Sequence, residues 1–436
     1  MHIFFYNIFL WLYATGIRIV SLWNPKARMW RTGRKGLFEK LARETGSTKD
    51  ERGSKEIQSI ENHLSPTIWM HCASLGEFEQ GRPLLESLRK DYPGCRIVLT
   101  FFSPSGYEVR KDYKGADLVC YLPMDSRKNA REFVNLIKPS LVLWVKYEYW
   151  YYYLAELKRQ QIPTLLISGI FRTGQPFFTW YGRLHRFMLD CFTQLFVQNE
   201  ASVELLAGIG VKKNISIAGD TRFDRVIDIA EQFTPIEVIE QFCGSYPVIV
   251  AGSTWPEDEE EMDHFANNHP NLRFVIAPHV VDEEHIREIE KLFKYSIRYS
   301  NIQVTGYKEQ QPSINTLIID NIGMLSRLYR YATITYVGGG FGDDGIHNVL
   351  EAAVYGKPVV FGPVYEKYAE AIGLVESKGA YSVENALELE DIFNKLLENS
   401  QLYESSCMAA HNFVYAHKGA TAMIMNYIQE NRLLTN

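Results

Sequence analysis

"TIWMHCASLGEFEQGRPLLESLRKDYPGCRIVLTFF" (residues 67–102) holds two apolar runs, 67–73 and 95–102, around a stretch of helical periodicity at 77–90. Strands that are apolar at nearly every position, rather than at alternate ones, belong to a sheet covered on both faces. Two such strands joined by a helix are parallel. The alternation continues through 118–123, 141–145, 164–171 and 194–199, with helical patterns at 126–138 and 149–160. It restarts at 247–253 and runs through 273–279, 296–300, 316–320, 332–340 and 358–363. The join falls in "GDTRFDRVIDIAEQFTPI" (219–236), and a last helix is expected around 400–432. The expected fold is α/β, two Rossmann-like parallel-sheet domains facing a cleft. The expected organisation is a membrane-anchor helix over 1–25, α/β domains over 26–222 and 223–410, and a C-terminal helix, 411–436, crossing back to the first domain. Ligands of open α/β sheets bind beyond the C-terminal ends of the strands, so function is sought in the loops that follow them.

The 436-residue chain is 46% hydrophobic and 22% charged, a globular composition long enough for two cores. A net charge of −6 argues against a general nucleic-acid binder. Cys72, Cys95, Cys120, Cys191, Cys243 and Cys407 form no C-x-x-C pair and no metal-ligand spacing, which suits reduced thiols in a cytoplasmic compartment. The start differs in kind. "IFFYNIFLWLYATGIRIVSLW" (3–23) carries one charge, Arg18, and Lys26, Arg28, Arg31, Arg34 and Lys35 follow it. A span takes roughly 20 apolar residues, and basic flanks stay on the cytoplasmic side. No basic residue precedes the run, so a cleaved signal peptide fits poorly. A membrane anchor is expected, with a helix lying on the bilayer or packed on the protein as the other reading. In either case the basic stretch favours an anionic membrane surface. Residues 43–66 are polar and read as a loop insertion or tether.

Three loops could carry chemistry. In Ser74-Leu75-Gly76-Glu77, a capping box would have Ser74 accept from the Glu77 N–H and Glu77 from the Ser74 N–H. A carboxylate at a helix start also tends to stay ionised, as a proton-accepting base requires. Both readings stay open on the residues alone. In "YVGGGFGDDGIHNVLEAAVYGKPVVFGP" (336–363), glycines would let N–H groups approach a phosphate ahead of a helix starting near His347. Asn348 and Glu351 share a face of that helix. The spacing is not G-x-G-x-x-G, and a plain tight turn is the competing reading. Asp343 and Asp344 have one nearby His and no partner motif, so no metal site is expected. In "VIVAGSTWPEDEEEMDHF" (248–265), Ser253 or Thr254 could bond a phosphate or cap the helix. The acid run 257–261 reads as a solvated face.

At these residues the chain resembles the 3-deoxy-D-manno-octulosonic acid (Kdo) transferases, membrane-anchored GT-B glycosyltransferases that use CMP-Kdo. The likeness runs through "WMHCASLGE", "YLPMD" (121–125), "YEYW" (147–150), "GDTRFD" (219–224), "AGST", "IGMLSRLYRYA" (322–332), "YVGGG" and "HNVLEAA". It implies that Glu77, in the family's S-x-G-E, is the general base, with Ser74 and Gly76 on the acceptor side. Glu148 matches the acid of E-L-W, and Arg222 stands where the family has Lys in G-N-x-K-F-D; both are implied in transition-state stabilisation. The implied donor contacts are Ser253, Pro278, His279, Ile322, Gly323, Met324, Gly339, Gly340, His347, Asn348, Val349, Leu350 and Glu351.

There are departures. The family's P-R-H reads Ala277-Pro278-His279, and the Glu common two residues before Glu148 is Lys146. Met324 replaces a common Glu, and G-G-H-N reads Gly345-Ile346-His347-Asn348. The resemblance further implies a metal-independent, inverting transfer to a lipid A precursor (lipid IVA) in lipopolysaccharide synthesis. Donor and acceptor would be CMP-Kdo and that lipid, with no other cofactor, at the cytoplasmic face of the inner membrane. Two other classes remain. A soluble GT-B nucleotide-sugar enzyme of the epimerase kind would keep its activity without residues 1–25. A non-catalytic, membrane-tethered nucleotide or lipid binder would keep its function without Glu77.

Overall fold

The computed structural model describes residues 2–45, 65–305, 314–343 and 345–434. Asp344 and residues 46–64 of the polar segment lie outside them. The chain forms two compact units, Met1–Asp224 with Gly419–Asn436, and Arg225–Lys418.

The first unit carries β1 (Thr67–Cys72), β2 (Arg96–Phe101), β3 (Leu118–Tyr121), β4 (Leu141–Val145), β5 (Thr164–Gly169), β6 (Gln194–Val197) and β7 (Ile215–Ile217). They form one parallel sheet in the order β3-β2-β1-β4-β5-β6-β7. Every residue of β1 and β4 is buried, as two-sided packing requires. The second unit carries β8 (Val248–Thr254), β9 (Arg273–Pro278), β10 (Ser296–Arg298), β11 (Thr316–Ile318), β12 (Ile334–Val337), β13 (Val359–Phe361) and β14 (Ala380–Ser382). Their order is β10-β11-β9-β8-β12-β13-β14, again parallel throughout.

The alternation of the sequence is thus realised, with local differences. The edge strands β7 and β14 are three residues each and carry polar side chains, too short to leave a periodic signal. The helix expected over 400–432 is two, Ser400–Ala416 and Ala420–Glu430, because Gly419 takes φ +117° between them. The second helix belongs to the first unit. Ile424, Met425 and Ile428 bury against Met70, Phe78 and Leu84, and truncating any one to Ala removes about 2–5 kcal/mol. Asp224, the last residue of "GDTRFD", accepts from the N–H groups of Gly419 and Thr421 and so caps this helix.

The apolar start forms α1 (His2–Val20), and α2 (Pro25–Thr32) follows it. By length and composition α1 could cross a membrane. One of its faces is nevertheless tied down along its length. The Tyr6 hydroxyl donates to Asp125 at 2.7 Å and accepts from the Tyr151 N–H, and Tyr152 O–H donates to Asn7. Leu10 is buried, and Tyr13 packs against Trp30 and Phe102. The opposite face leaves Phe4, Phe5, Trp11 and Leu12 exposed, and the turn after it leaves Leu22 and Trp23 exposed. Residues 6, 7, 10 and 13 hold one face of the helix against its unit, while only 6% of the residues Ile3–Val20 are buried and the rest of the helix surface stays open.

Candidate active site

In the first sheet β2 and β3 lie on one side of β1, and β4 to β7 on the other. Between β1 and β4 the connections leave in opposite directions, which opens a crevice at the strand C-terminal ends. Both candidate carboxylates sit there, Glu77 in the first turn of the helix Leu75–Asp91 after β1, and Glu148 after β4. Ser74 occupies the N-cap by its backbone, but its side chain makes no capping bond. The Glu77 carboxylate accepts instead from the N–H groups of Ala73 and Tyr147. The reciprocal box expected between Ser74 and Glu77 is therefore absent. Glu77 is only 7% exposed. Burial, reinforced by the charge of Glu148, pushes its pKa up to about 7 against the two N–H bonds and Lys146. The carboxyl is therefore only about half ionised at neutral pH, less than the helix terminus alone would give, because desolvation outweighs that effect here. Gly76 is exposed, and a Cβ added there would meet open space.

Glu148 Oε2 accepts from Trp150 Nε1–H at 3.0 Å and faces His71 Nε2 at 3.3 Å. His71 Nδ1 lies 2.9 Å from the Thr100 hydroxyl, which also accepts from Trp69 Nε1–H. The tautomer protonated at Nε2 satisfies both ends, with Thr100 donating to Nδ1 and Nε2–H to Glu148. Sequence reasoning gives His71 no role. Its signal is there, since an imidazole in a wholly buried strand needs a polar partner.

The Arg222 guanidinium binds Asp220 through Nε and Nη2 at 3.0 and 2.9 Å, and Gln80 and Gln198 also donate to Asp220. Burial alone would raise the Asp220 pKa, but Arg222 beside it holds the carboxyl below the usual range. Burial raises the pKa of the Tyr147 phenol, which also feels the charges of Arg172, Glu77, Arg222 and Asp220. Arg172 and Asp220 carry no role in the sequence-based reading. Lys146, just past β4, takes φ +61°, and Ser168 in β5 and Ser253 in β8 take φ +52° and +54°. Left-handed backbone in non-glycine residues is strained and concentrates at functional loops.

In the second sheet the switch lies between β8 and β12, where the two remaining loops end. The acid run after β8 is not uniformly solvated: Asp258 and Glu259 turn inward and are buried. Asp258 accepts from Tyr336 O–H at 2.7 Å, from Gly339 N–H at 2.8 Å and from Trp255 N–H at 2.9 Å. Glu259 accepts from the Thr254 hydroxyl and meets His285 Nε2 at 2.9 Å. Thr254 is thus committed within the protein, which leaves Ser253, half-buried beside it at the end of β8, as the hydroxyl candidate.

The glycines pack backbone on backbone. A Cβ on Gly340 would come within 2.6 Å of Gly362 N, and one on Gly338 within 2.4 Å of Ser253 O. The Gly339 N–H is used by Asp258, so it is not a free phosphate donor. The helix expected from near His347 begins only at Leu350 and lasts one turn, Leu350–Ala353, with the Asn348 side-chain Oδ1 accepting from the Leu350 N–H. Asn348 Nδ2 donates to Glu351 at 3.1 Å, so that pair does share a face. Val349 and Leu350 have buried side chains and offer only backbone. The His279 ring stacks between Trp255 and His347 at 4.8 and 4.3 Å, and burial holds its pKa below the ordinary histidine value. His347 Nε2 accepts from Trp255 Nε1–H at 3.1 Å. Pro278 ends β9 opposite Thr254. Ile322 and Gly323 form an exposed turn with Gly323 at φ +96°, and Met324 is buried beneath it. Among the described residues no group of three His, Cys, Asp or Glu could hold a metal ion.

Two parallel seven-stranded α/β units in tandem form a fold of the GT-B class. The fold is similar to that of UDP-GlcNAc 2-epimerase from Neisseria meningitidis bound to UDP-GlcNAc (TM-score 0.60, 17% identity, 84% of this chain and 100% of that one). Residues 37–225 match the family model described as 3-deoxy-D-manno-octulosonic-acid transferase (kdotransferase). A bifunctional glycosyltransferase/methyltransferase from Fusobacterium nucleatum is 29% identical over 83% of this chain, and the chain spans 58% of that relative's length. The 3-deoxy-D-manno-octulosonic acid transferase of Aquifex aeolicus is 26% identical over 78% of this chain and 88% of its own. Over most of its length the chain is thus similar to curated Kdo transferases, which are glycosyltransferases.

Proposed function

We propose that the protein is an inverting glycosyltransferase that moves Kdo from CMP-Kdo to a lipid A precursor, lipid IVA, in lipopolysaccharide core biosynthesis. The observation that carries this reading is Glu77, a buried carboxylate at the switch point of its sheet with a pKa near 7. A base of that strength is matched to neutral pH. Glu77 takes the proton from an acceptor hydroxyl as that oxygen bonds the Kdo anomeric carbon. The bond from this carbon to the phosphate oxygen breaks, and CMP leaves with the electron pair. A single displacement inverts the carbon. CMP departs as an anion, so the reaction is metal-independent and draws on no further cofactor.

Ser74 and Gly76 lie on the acceptor side, where a missing side chain at Gly76 leaves room. Glu148, oriented by His71 and Trp150, and Arg222, oriented by Asp220, stabilise charge that develops in the transition state. On the donor side, Ser253 and the backbone at Pro278, Ile322, Gly323, Met324, Gly340, Val349 and Leu350 bind the nucleotide. His279 and His347 offer it ring edges, and Glu351, bonded to Asn348, accepts its ribose hydroxyls. With the Gly339 N–H held by Asp258, this glycine shapes the loop. The exposed apolar face of α1 holds the protein at the cytoplasmic face of the inner membrane, in the interface plane.

The pH dependence tests the base. Only ionised Glu77 accepts a proton, so kcat/KM is expected to rise with pH through one ionisation near 7. The stability contribution runs the other way. A carboxylate raised from 4.5 to about 7 stabilises the fold below the lower value, and that stabilisation is lost as pH rises through the upper one. A rate profile flat across neutral pH contradicts the assignment.

A further inference from the structure

Between α1, α2 and the loop after β3 lies a pocket of about 240 Å³ that the transfer chemistry above does not use. Arg18 reaches it from α1, Arg31 from α2 and Arg34 from the turn after α2, and none of its lining residues is acidic. Among the described residues none of the three guanidiniums pairs with a carboxylate. Arg31 Nη1 donates to the Ser21 hydroxyl at 3.2 Å, a neutral partner. Arg34 donates to the carbonyls of Leu122, Trp30 and Phe102 at 2.8, 3.0 and 2.7 Å. Its guanidinium carbon lies 3.9 Å from the centroid of the Trp30 ring and under 5 Å from those of Phe102 and Tyr121.

The turn that carries Arg34 is tightly packed. Gly33 is packed so closely on Tyr121 that a Cβ there would come within 2.2 Å of the ring. Burial pushes the Arg34 pKa down to about 10, so the cation persists at neutral pH. Arg34 is fixed and Arg31 tethered, and together with the exposed Arg18 they face an acid-free cavity that suits a compact anion with several acceptor oxygens, which is the chemistry of a phosphate.

The pocket's position says where that phosphate comes from. Arg18 sits near the C-terminal end of α1, whose outer face exposes Trp11 and Leu12 and which is followed by exposed Leu22 and Trp23. On its other flank α1 touches the helix Arg183–Leu189, and the turn before that helix carries Trp180, 91% exposed, beside Tyr181. Exposed Trp and Tyr next to an apolar helix face mark a surface at the depth of lipid headgroups. We propose that Arg18, Arg31 and Arg34 form a binding site for the phosphomonoester headgroup of a membrane lipid, seated beside α1 and separate from the Glu77 crevice. The site rests on α1 lying at a membrane surface, and the experiment separates the two claims.

The full chain is titrated with phosphatidylcholine vesicles that contain either phosphatidic acid or phosphatidylserine, matched in surface potential. General attraction to an anionic surface is the same for both, so the ratio of the two affinities reads the pocket alone. The parent chain is expected to prefer phosphatidic acid by about 10-fold, as forked guanidinium bonds to a doubly charged phosphate require. Arg18→Gln with Arg31→Gln abolishes the preference. Lys26→Gln with Lys35→Gln weakens binding to both vesicles and leaves the ratio intact. Binding without a preference, or a preference that survives in the double arginine variant, overturns the pocket while leaving the membrane reading in place. Absence of binding to either vesicle overturns both. Displacement from the vesicles by inorganic phosphate at constant ionic strength assigns the pocket to a soluble phosphate and overturns the lipid assignment.

Discussion

Glu77→Gln is expected to lower Kdo transfer about 1,000-fold, within the range that loss of a positioned base produces, while CMP-Kdo still binds. Glutamine keeps the size of the side chain and one carbonyl acceptor, so a loss on this scale reports the missing proton acceptor rather than a collapsed helix start. The amide is not a perfect substitute. Ala73 and Tyr147 both donate to the carboxylate, and the amide nitrogen can accept from neither. Glu77→Ala removes both acceptors and should match Gln in activity while destabilising the helix start further. Donor affinity separates the base from a binding residue: unchanged affinity with lost turnover fits a base, and parallel loss of both does not. A Gln variant that transfers at the parental rate sinks the mechanism.

The second large effect is structural. Asp258→Ala is expected to destabilise the Arg225–Lys418 unit by about 4 kcal/mol, because three buried donors lose their acceptor and each orphaned group costs about 1–3 kcal/mol. Those donors are Tyr336 O–H, Gly339 N–H and Trp255 N–H, which belong to β12, the glycine turn and the start of the Pro256–Asn268 helix. One carboxylate thus ties the two loops that flank the switch point of the second sheet. Burial raises its pKa and the three bonds oppose that rise, so its worth lies in geometry more than in charge. Asp258→Asn, which keeps a single carbonyl acceptor, should fall between parent and Ala in urea unfolding. Donor affinity should drop along with stability, since the glycine turn loses its fixed point. A loss under about 1 kcal/mol would contradict this account of the turn.

Much of the fold was legible because buried parallel strands have a plain signature. "TIWMHC" and "LVLWV" are apolar along their length, and both are central strands buried at every position. Edge strands such as "ISI" and "AYS" lack that signature, because what pairs them is the neighbouring strand, not their own composition. The break at Gly419 hides in a long amphipathic pattern, where one glycine at positive φ suffices to turn the chain. The crevice between β1 and β4 could be placed from the loops that follow those strands, and Glu77 and Glu148 do sit there. Their surroundings could not be read. His71 meets Glu148 only through the sheet order, and Asp220, though two residues from Arg222, needs the fold to bury it beneath that guanidinium. The glycine turn was legible as a turn, but its partner was not: Asp258 looks solvated within "PEDEEE", and only the third dimension turns it inward. For α1, hydropathy alone could not separate a helix that crosses a membrane from one that packs on its own protein, since both tolerate Tyr6 and Asn7.

The central claim is that this chain transfers Kdo to a lipid. Its most direct test is mass spectrometry of the lipid after purified full-length protein has been incubated with CMP-Kdo and a tetraacylated disaccharide bisphosphate acceptor. The account predicts a product heavier than the acceptor by the mass of a Kdo residue, formed together with CMP and lost in Glu77→Gln. Release of free Kdo with the acceptor unchanged, or an unmodified donor, would contradict it.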